Sequence, residues 1–183
     1  MAAARRTLDG AVVEITAAIE ELRELAHGLR WTLLQAGLGP ALRETYRRLQ
    51  DDGPYSPDAA SAGRRALKNI CLDLLATAGV SAIALAARQY HQATNMTDRI
   101  AALSTLSLHP TPERQAAIDD FYRRYAGDPL IIDKWLSLQA AIPEAATLDR
   151  VRALTRHPAF SLGNPNRVRA LIGAFAQTNQ TQF

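Results

Sequence analysis

An all-α fold is what this sequence predicts: one long N-terminal helix, then antiparallel helical hairpins. Three observations predict it. Alanine is abundant while aromatics make up only 6% of the chain, a balance that suits close helix packing better than strands, which favour β-branched and aromatic residues. Capping residues recur directly in front of proline. Apolar residues then recur three and four positions apart.

The first unit is residues 1–38. Leu8, Val12, Ile15, Ile19, Leu22, Ala26, Leu29 and Leu33 alternate spacings of four and three, an a/d heptad seam with one weak point at Gly28. Such a seam allows one long helix lying on the domain behind it. It equally allows a coiled-coil homodimer paired through residues 8–33.

The second unit is residues 39–183, with helix starts expected near residues 57, 80, 97, 112, 129, 148 and 165. Ser56-Pro57, Thr111-Pro112, Asp128-Pro129 and Asn164-Pro165 each place a capping side chain before a proline that loses no bond at the first helical position. Asn95 or Thr97 is expected to cap the helix near 97, with Asp98 on the positive end of its dipole, and Thr147 to cap the one near 148. Four apolar stripes follow: Leu67, Ile70, Cys71, Leu74 and Leu75; Ile118, Phe121, Tyr122 and Tyr125; Ile131, Trp135 and Leu138; Val168, Leu171, Ile172 and Phe175. Gly79, Gly127, Pro143 and Pro158 close helices. Two helices every 35 to 40 residues or so is the size of a HEAT or armadillo unit. Helix spacing carries that reading, since the units share little sequence.

Composition excludes several functions. A net charge of +3 with 18 acidic residues is not that of a nucleic-acid-binding arm. Lysine appears only at Lys68 and Lys134, an arginine bias that reads as GC-rich coding. Asp119 with Arg123, Asp120 with Arg124 and Glu44 with Arg48 are four apart and expected to pair. The lone Cys71 excludes an internal disulfide and is expected to be buried. No signal-peptide pattern follows Met1 to Arg6, and no run approaches the roughly 20 apolar residues of a membrane span, so cytoplasm is the expected location and neither membrane nor nucleic acid a partner.

His27, His91, His109 and His157 have no metal-ligand spacing, and no H-E-x-x-H, G-x-S-x-G or phosphate-binding loop occurs. No catalytic residue, metal or cofactor is expected.

Gly63-Arg64-Arg65-Ala66-Leu67-Lys68-Asn69, Asn95-Met96-Thr97-Asp98, Asp133-Lys134-Trp135 and the run from Asn164 to Phe175 carry a resemblance. From about residue 40 to 183 the chain resembles the C-terminal helical domain of bacterial aminopeptidase N, a zinc aminopeptidase. The resemblance implies a non-catalytic domain that walls the active-site chamber and limits peptide access. Its partner would be the catalytic domain of a parent enzyme, with the zinc and the catalytic glutamates in sequence absent here. It also implies an array truncated at its C-terminus, since further helices follow the Asn164–Phe175 helix in that family.

Two arginines near a helix start oppose the dipole and need another explanation. By resemblance, the Asn164–Phe175 helix faces the catalytic domain, and Arg169, with Arg167 second to it, belongs to the substrate channel. A guanidinium there would hold substrate carbonyls or a C-terminal carboxylate, and in this chain alone both would face water. The other explanation is pairing with acidic groups on neighbouring helices.

Residues 8–43 resemble something different. Glu21-Leu22-Arg23-Glu24-Leu25-Ala26-His27-Gly28-Leu29-Arg30, followed by Gly37-Leu38-Gly39-Pro40-Ala41-Leu42-Arg43, is similar to a dimerisation helix of sensor histidine kinases, with Trp31 where that family has proline. That likeness implies a junction near Gly37 to Arg43 and no kinase activity. The alternative function is therefore a helical dimerisation module, in a chain made by fusion or design.

Overall fold

The computed structural model describes residues 38–51, 53–77 and 80–179. The heptad seam of residues 8–33, His27, most of the kinase-like segment and Gly79 lie outside the described residues. Among the described residues all regular structure is helical: α1 (Gly39–Arg48), α2 (Ala59–Thr77), α3 (Val80–Gln92), α4 (Met96–Ser107), α5 (Pro112–Tyr125), α6 (Pro129–Ala140) and α7 (Thr147–Leu154), then α8 (Pro165–Val168), which runs through a π-helical stretch (Arg169–Gly173) into α9 (Ala174–Thr178). Each helix packs on the next as far as α7, α2 also touches α4, and the π stretch lies on α6. This is the expected array of short helices joined by short connections.

Start chemistry decides where each helix begins. Asn95, Asp128 and Asn164 each have extended backbone and accept a hydrogen bond from an orphan amide of the following turn. Asn95, not Thr97, is the cap of α4, and Thr97 is that helix's second residue. Three expected caps fail, each in its own way. Ser56 does not cap α2; Asp58, two residues on, accepts from the Ser61 amide at 2.9 Å, and Ser56 donates to Asp58 at 2.6 Å. Thr147 is the first residue of α7, where its buried hydroxyl donates to the Ile142 carbonyl at 2.6 Å. Thr111 precedes α5 with extended backbone, yet its hydroxyl makes no cap bond and is buried without a partner.

This contrast gives a prediction. Asp128→Ala is expected to cost about 1 kcal/mol in urea unfolding, because two amide bonds to its carboxylate are lost. Thr111→Val, which removes a hydroxyl that bonds to nothing, is expected to stay within about 0.5 kcal/mol of the parent.

One continuous core runs through the array, with Leu72, Leu103, Leu106, Phe121, Leu136, Ile142 and Leu171 at 0% exposure. Trp135 anchors its centre, donating its indole N–H to the Ile118 carbonyl at 3.0 Å and stacking on Tyr122. His157 packs against both rings and caps the loop before Phe160 by accepting from the Ala159 amide. Burial holds its pKa below the ordinary histidine value.

The core face of α2 differs from the expected stripe. Cys71 and Leu75 are buried, but with Lys68, Leu72 and Ala76, whereas Leu67 is 47% and Ile70 56% exposed. In the last helix Leu171 and Phe175 are buried but Ile172 is 40% exposed. Of the expected ion pairs, Asp120 meets Arg124, while Glu44 pairs with Arg47 and Asp119 accepts from Gln115 instead.

Candidate functional site

The Asn164–Gly173 helix start holds the two candidate arginines. Asn164 fixes the first turn by accepting from the Asn166 and Arg167 amides at 3.0 and 3.4 Å. Pro165 at the first position costs no bond. Arg167 then turns inward. It is 8% exposed, forms an ion pair with Asp133 of α6 and donates to the Pro129 carbonyl at 2.8 Å. The expectation that it faces water is therefore corrected. Asp133 and the Pro129 carbonyl lie within its reach, and they offset the dipole penalty on a cation at this end.

Arg169 is exposed, and no hydrogen bond or ion pair holds it among the described residues. It opens the π stretch, in which the Ala174 amide donates five residues back to the Arg169 carbonyl. Ala170 and Leu171 bury the inner side of this stretch. The arrangement is one guanidinium locked into structure and, two residues on, another free to take a carboxylate or carbonyl ligand. The π stretch has no counterpart among the spacings read from the residues.

Asp98 is the second centre. It stands in the first turn of α4, at the positive end of the dipole as expected, and it is buried there, 5% exposed. Lys68 donates to its Oδ2 at 2.7 Å, Asn95 to the same oxygen at 2.9 Å, and Asn69 to Oδ1 at 3.0 Å. Gln89 donates to the Asn69 side chain and the Asp98 carbonyl, and accepts from the buried Tyr46 hydroxyl at 2.8 Å. Helices α1 to α4 are thereby joined through one polar network, which forms the floor of a cleft of about 560 Å3 whose rim includes Arg47, Gln50, Asp51 and Arg88.

Desolvation pushes the Asp98 carboxyl upward, but hydrogen bonds from Lys68, Asn95 and Asn69 and the Lys68 charge outweigh it, so its pKa lies below the ordinary carboxylate value. Asp120, bonded by Arg124 and Tyr90, is lowered for the same kind of reason. Carboxyls with lowered folded pKa contribute stability above the unfolded value, about 3.9, and lose it as pH falls through the folded value. Urea midpoints are therefore expected to be flat from about pH 7 to 5 on the carboxylates' account and to fall steeply below about pH 4. A parent and Asp98→Asn variant with parallel profiles below pH 4 would overturn the assignment to Asp98.

No group of three His, Cys, Asp or Glu side chains comes together as a metal site among the described residues, and no described helix is long and apolar enough to cross a membrane.

The repeat of short helices, with its capped starts and buried cross-helix ion pairs, defines a helical-repeat domain. The family described as "domain of unknown function (DUF3458_C) ARM repeats" matches residues 4–183, and the chain belongs to that family. The match takes in the heptad-patterned segment as well as the described array. More particularly, the chain corresponds to the C-terminal helical domain of aminopeptidase N. It is 39% identical over 153 residues to aminopeptidase N of Caulobacter vibrioides, covering 83% of this chain and 18% of that protein. It is 40% identical over 130 residues to aminopeptidase N of Escherichia coli K12, covering 70% and 15%. Its fold is similar to a crystal structure of Legionella pneumophila aminopeptidase A in complex with aspartic acid, with TM-score 0.73 and 30% identity over 85% of this chain and 19% of that one. The chain thus spans less than a fifth of the length of these relatives.

Proposed function

We propose that this domain serves an aminopeptidase without carrying its chemistry: it walls the active-site chamber, limits which peptides enter, and works beside a catalytic domain in the cytoplasm. The observation that carries the reading is the division of labour between two neighbouring arginines. Arg167 is consumed by Asp133, whereas Arg169 is presented to solvent from a helix start that Asn164 and Arg167 hold rigidly. An exposed guanidinium with no partner among the described residues is suited to the carbonyls or C-terminal carboxylate of a peptide. Zinc and the acid–base groups would belong to the catalytic domain.

The test uses the parent enzyme that contains this domain. Arg169→Ala is expected to raise KM for peptides about tenfold with kcat little changed, the loss of roughly 1.5 kcal/mol of uniform binding, and Arg169→Lys to restore part of it. Unchanged KM for di-, tri- and longer peptides would sink the role of Arg169. Peptide hydrolysis by the domain alone, inhibited by a zinc chelator, would sink the non-catalytic reading.

A further inference from the structure

The cleft between the end of α1 and the α3–α4 turn holds hydrogen-bonding capacity that the described residues do not use. Its floor includes the Lys68 ammonium of α2, whose side chain is 6% exposed. An ammonium carries three N–H donors, and among the described residues Lys68 makes one hydrogen bond, to Asp98 Oδ2. Asp98 itself is well supplied, since Lys68, Asn95 and Asn69 all donate to its two oxygens. On the rim, Arg88 of α3 is exposed, and no hydrogen bond or ion pair holds it among the described residues. Its charge reaches the buried Tyr46 hydroxyl, which belongs to the same network. The other rim charges are answered: Arg47 by Glu44, and Asp51 by Arg64 and the Gly53 amide.

What remains unfilled is rich in donors and positive: two N–H groups of a buried ammonium and one exposed guanidinium, with the exposed Gln92 amide beside them. Such a set takes an anion. The two cations stand at different depths, so they suit two singly charged groups at the ends of one molecule better than one compact, doubly charged group. Leu85 also lines the cleft and offers apolar surface to a short carbon chain. A volume of about 560 Å3 is that of a small-molecule site.

We infer that this cleft binds a small dicarboxylate, with one carboxylate on the spare N–H groups of Lys68 and the other on Arg88. The bond to Asp98 stays in place and holds the ammonium still, so the ligand meets a donor that is already oriented. The same pair of carboxylates occurs on a free diacid and on an acidic residue at the C-terminus of a peptide, and two ligands separate these sources. The inference does not depend on the proposed role of Arg169.

Titration of the full chain with glutarate, followed by calorimetry and by proton–nitrogen NMR, is the test. Binding is expected to saturate and to shift the Lys68 side-chain signal together with amides of residues 46–51 and 88–94. Arg88→Ala is expected to weaken it about tenfold and Arg88→Lys to restore part of the loss. Gln92→Glu, which sets a like charge on the rim, is expected to weaken it by about the same factor. Both positions are exposed, so these changes leave the core untouched. Valerate, the same carbon chain with one carboxylate, is expected to bind about tenfold more weakly than glutarate. Arg152→Ala, an exposed arginine of α7 outside the cleft, is expected to bind glutarate as the parent does. Tighter binding of N-acetyl-alanyl-glutamate than of glutarate would assign the cleft to acidic peptide ends, and the reverse to free diacids; either order supports a dicarboxylate site. Four results would overturn the inference: no saturation by about 20 mM glutarate, affinity that neither Arg88→Ala nor Gln92→Glu changes, a Lys68 signal that does not move, or an equal loss in Arg152→Ala, which would mean diffuse attraction to a basic protein.

Discussion

Asp98→Ala is expected to lower stability by about 3–5 kcal/mol, the largest effect of any single polar change in this domain, because it strands the Lys68 ammonium in a site that is 6% exposed. Asn69 and Asn95 lose an acceptor at the same time, so the penalty comes chiefly from desolvated groups left without partners. Lys68→Met alone is expected to be costly for the mirror reason, since it leaves the carboxylate buried. Combining Lys68→Met with Asp98→Leu is expected to recover part of the loss, as replacing a whole buried pair by apolar groups often does, though not all, given the amides that remain. A double-mutant cycle in urea checks this. Purely additive single losses would mean that the two charges are not coupled and that the network is incidental.

Arg167→Ala is expected to cost about 2–4 kcal/mol, and Asp133→Ala a similar amount, because their ion pair is the side-chain tie between α8 and α6 and is largely dry, with side-chain exposures of 10% and 22%. The variants are expected to loosen the C-terminal helical run first, with faster amide exchange over residues 165–178 than elsewhere. Arg169→Ala, two residues away, is expected to leave stability within about 0.5 kcal/mol of the parent, since nothing among the described residues depends on it. Equal destabilisation by the two alanine variants would contradict the division between a structural and a ligand-facing arginine.

Much of the array was legible in the sequence because helix starts are local chemistry. Asn95, Asp128 and Asn164 act on amides two or three residues away, so type and spacing suffice to find them. Asp58 was missed because Ser56-Pro57 offered a more familiar cap, and Thr147 because its acceptor, the Ile142 carbonyl, comes from the preceding loop. The core face of α2 was misread for a different reason. Its residues offer two apolar faces, and the buried one contains a lysine that only its tertiary partner, Asp98, thirty positions on, makes tolerable. The fates of Arg167 and Arg169 were open in the sequence because they depend on where Asp133 lies, and helix packing rather than spacing decides that.

The π-helical stretch from Arg169 to Gly173 also bears on how this helix is compared with any other. A five-residue hydrogen-bonded turn takes in one more residue than an α-turn, so it acts as an absorbed insertion. Positions before and after it are out of phase by about one residue, roughly 100° of azimuth, with respect to a continuous wheel drawn over 165–178. Ile172, apolar and in step by simple counting, is left 40% exposed. A relative that lacked one residue here could keep both anchors, Asn164 and Phe175, only by changing which side of the helix its intervening residues present. Pairing residues across such a gap one by one would assign Arg169's direction to the wrong side chain.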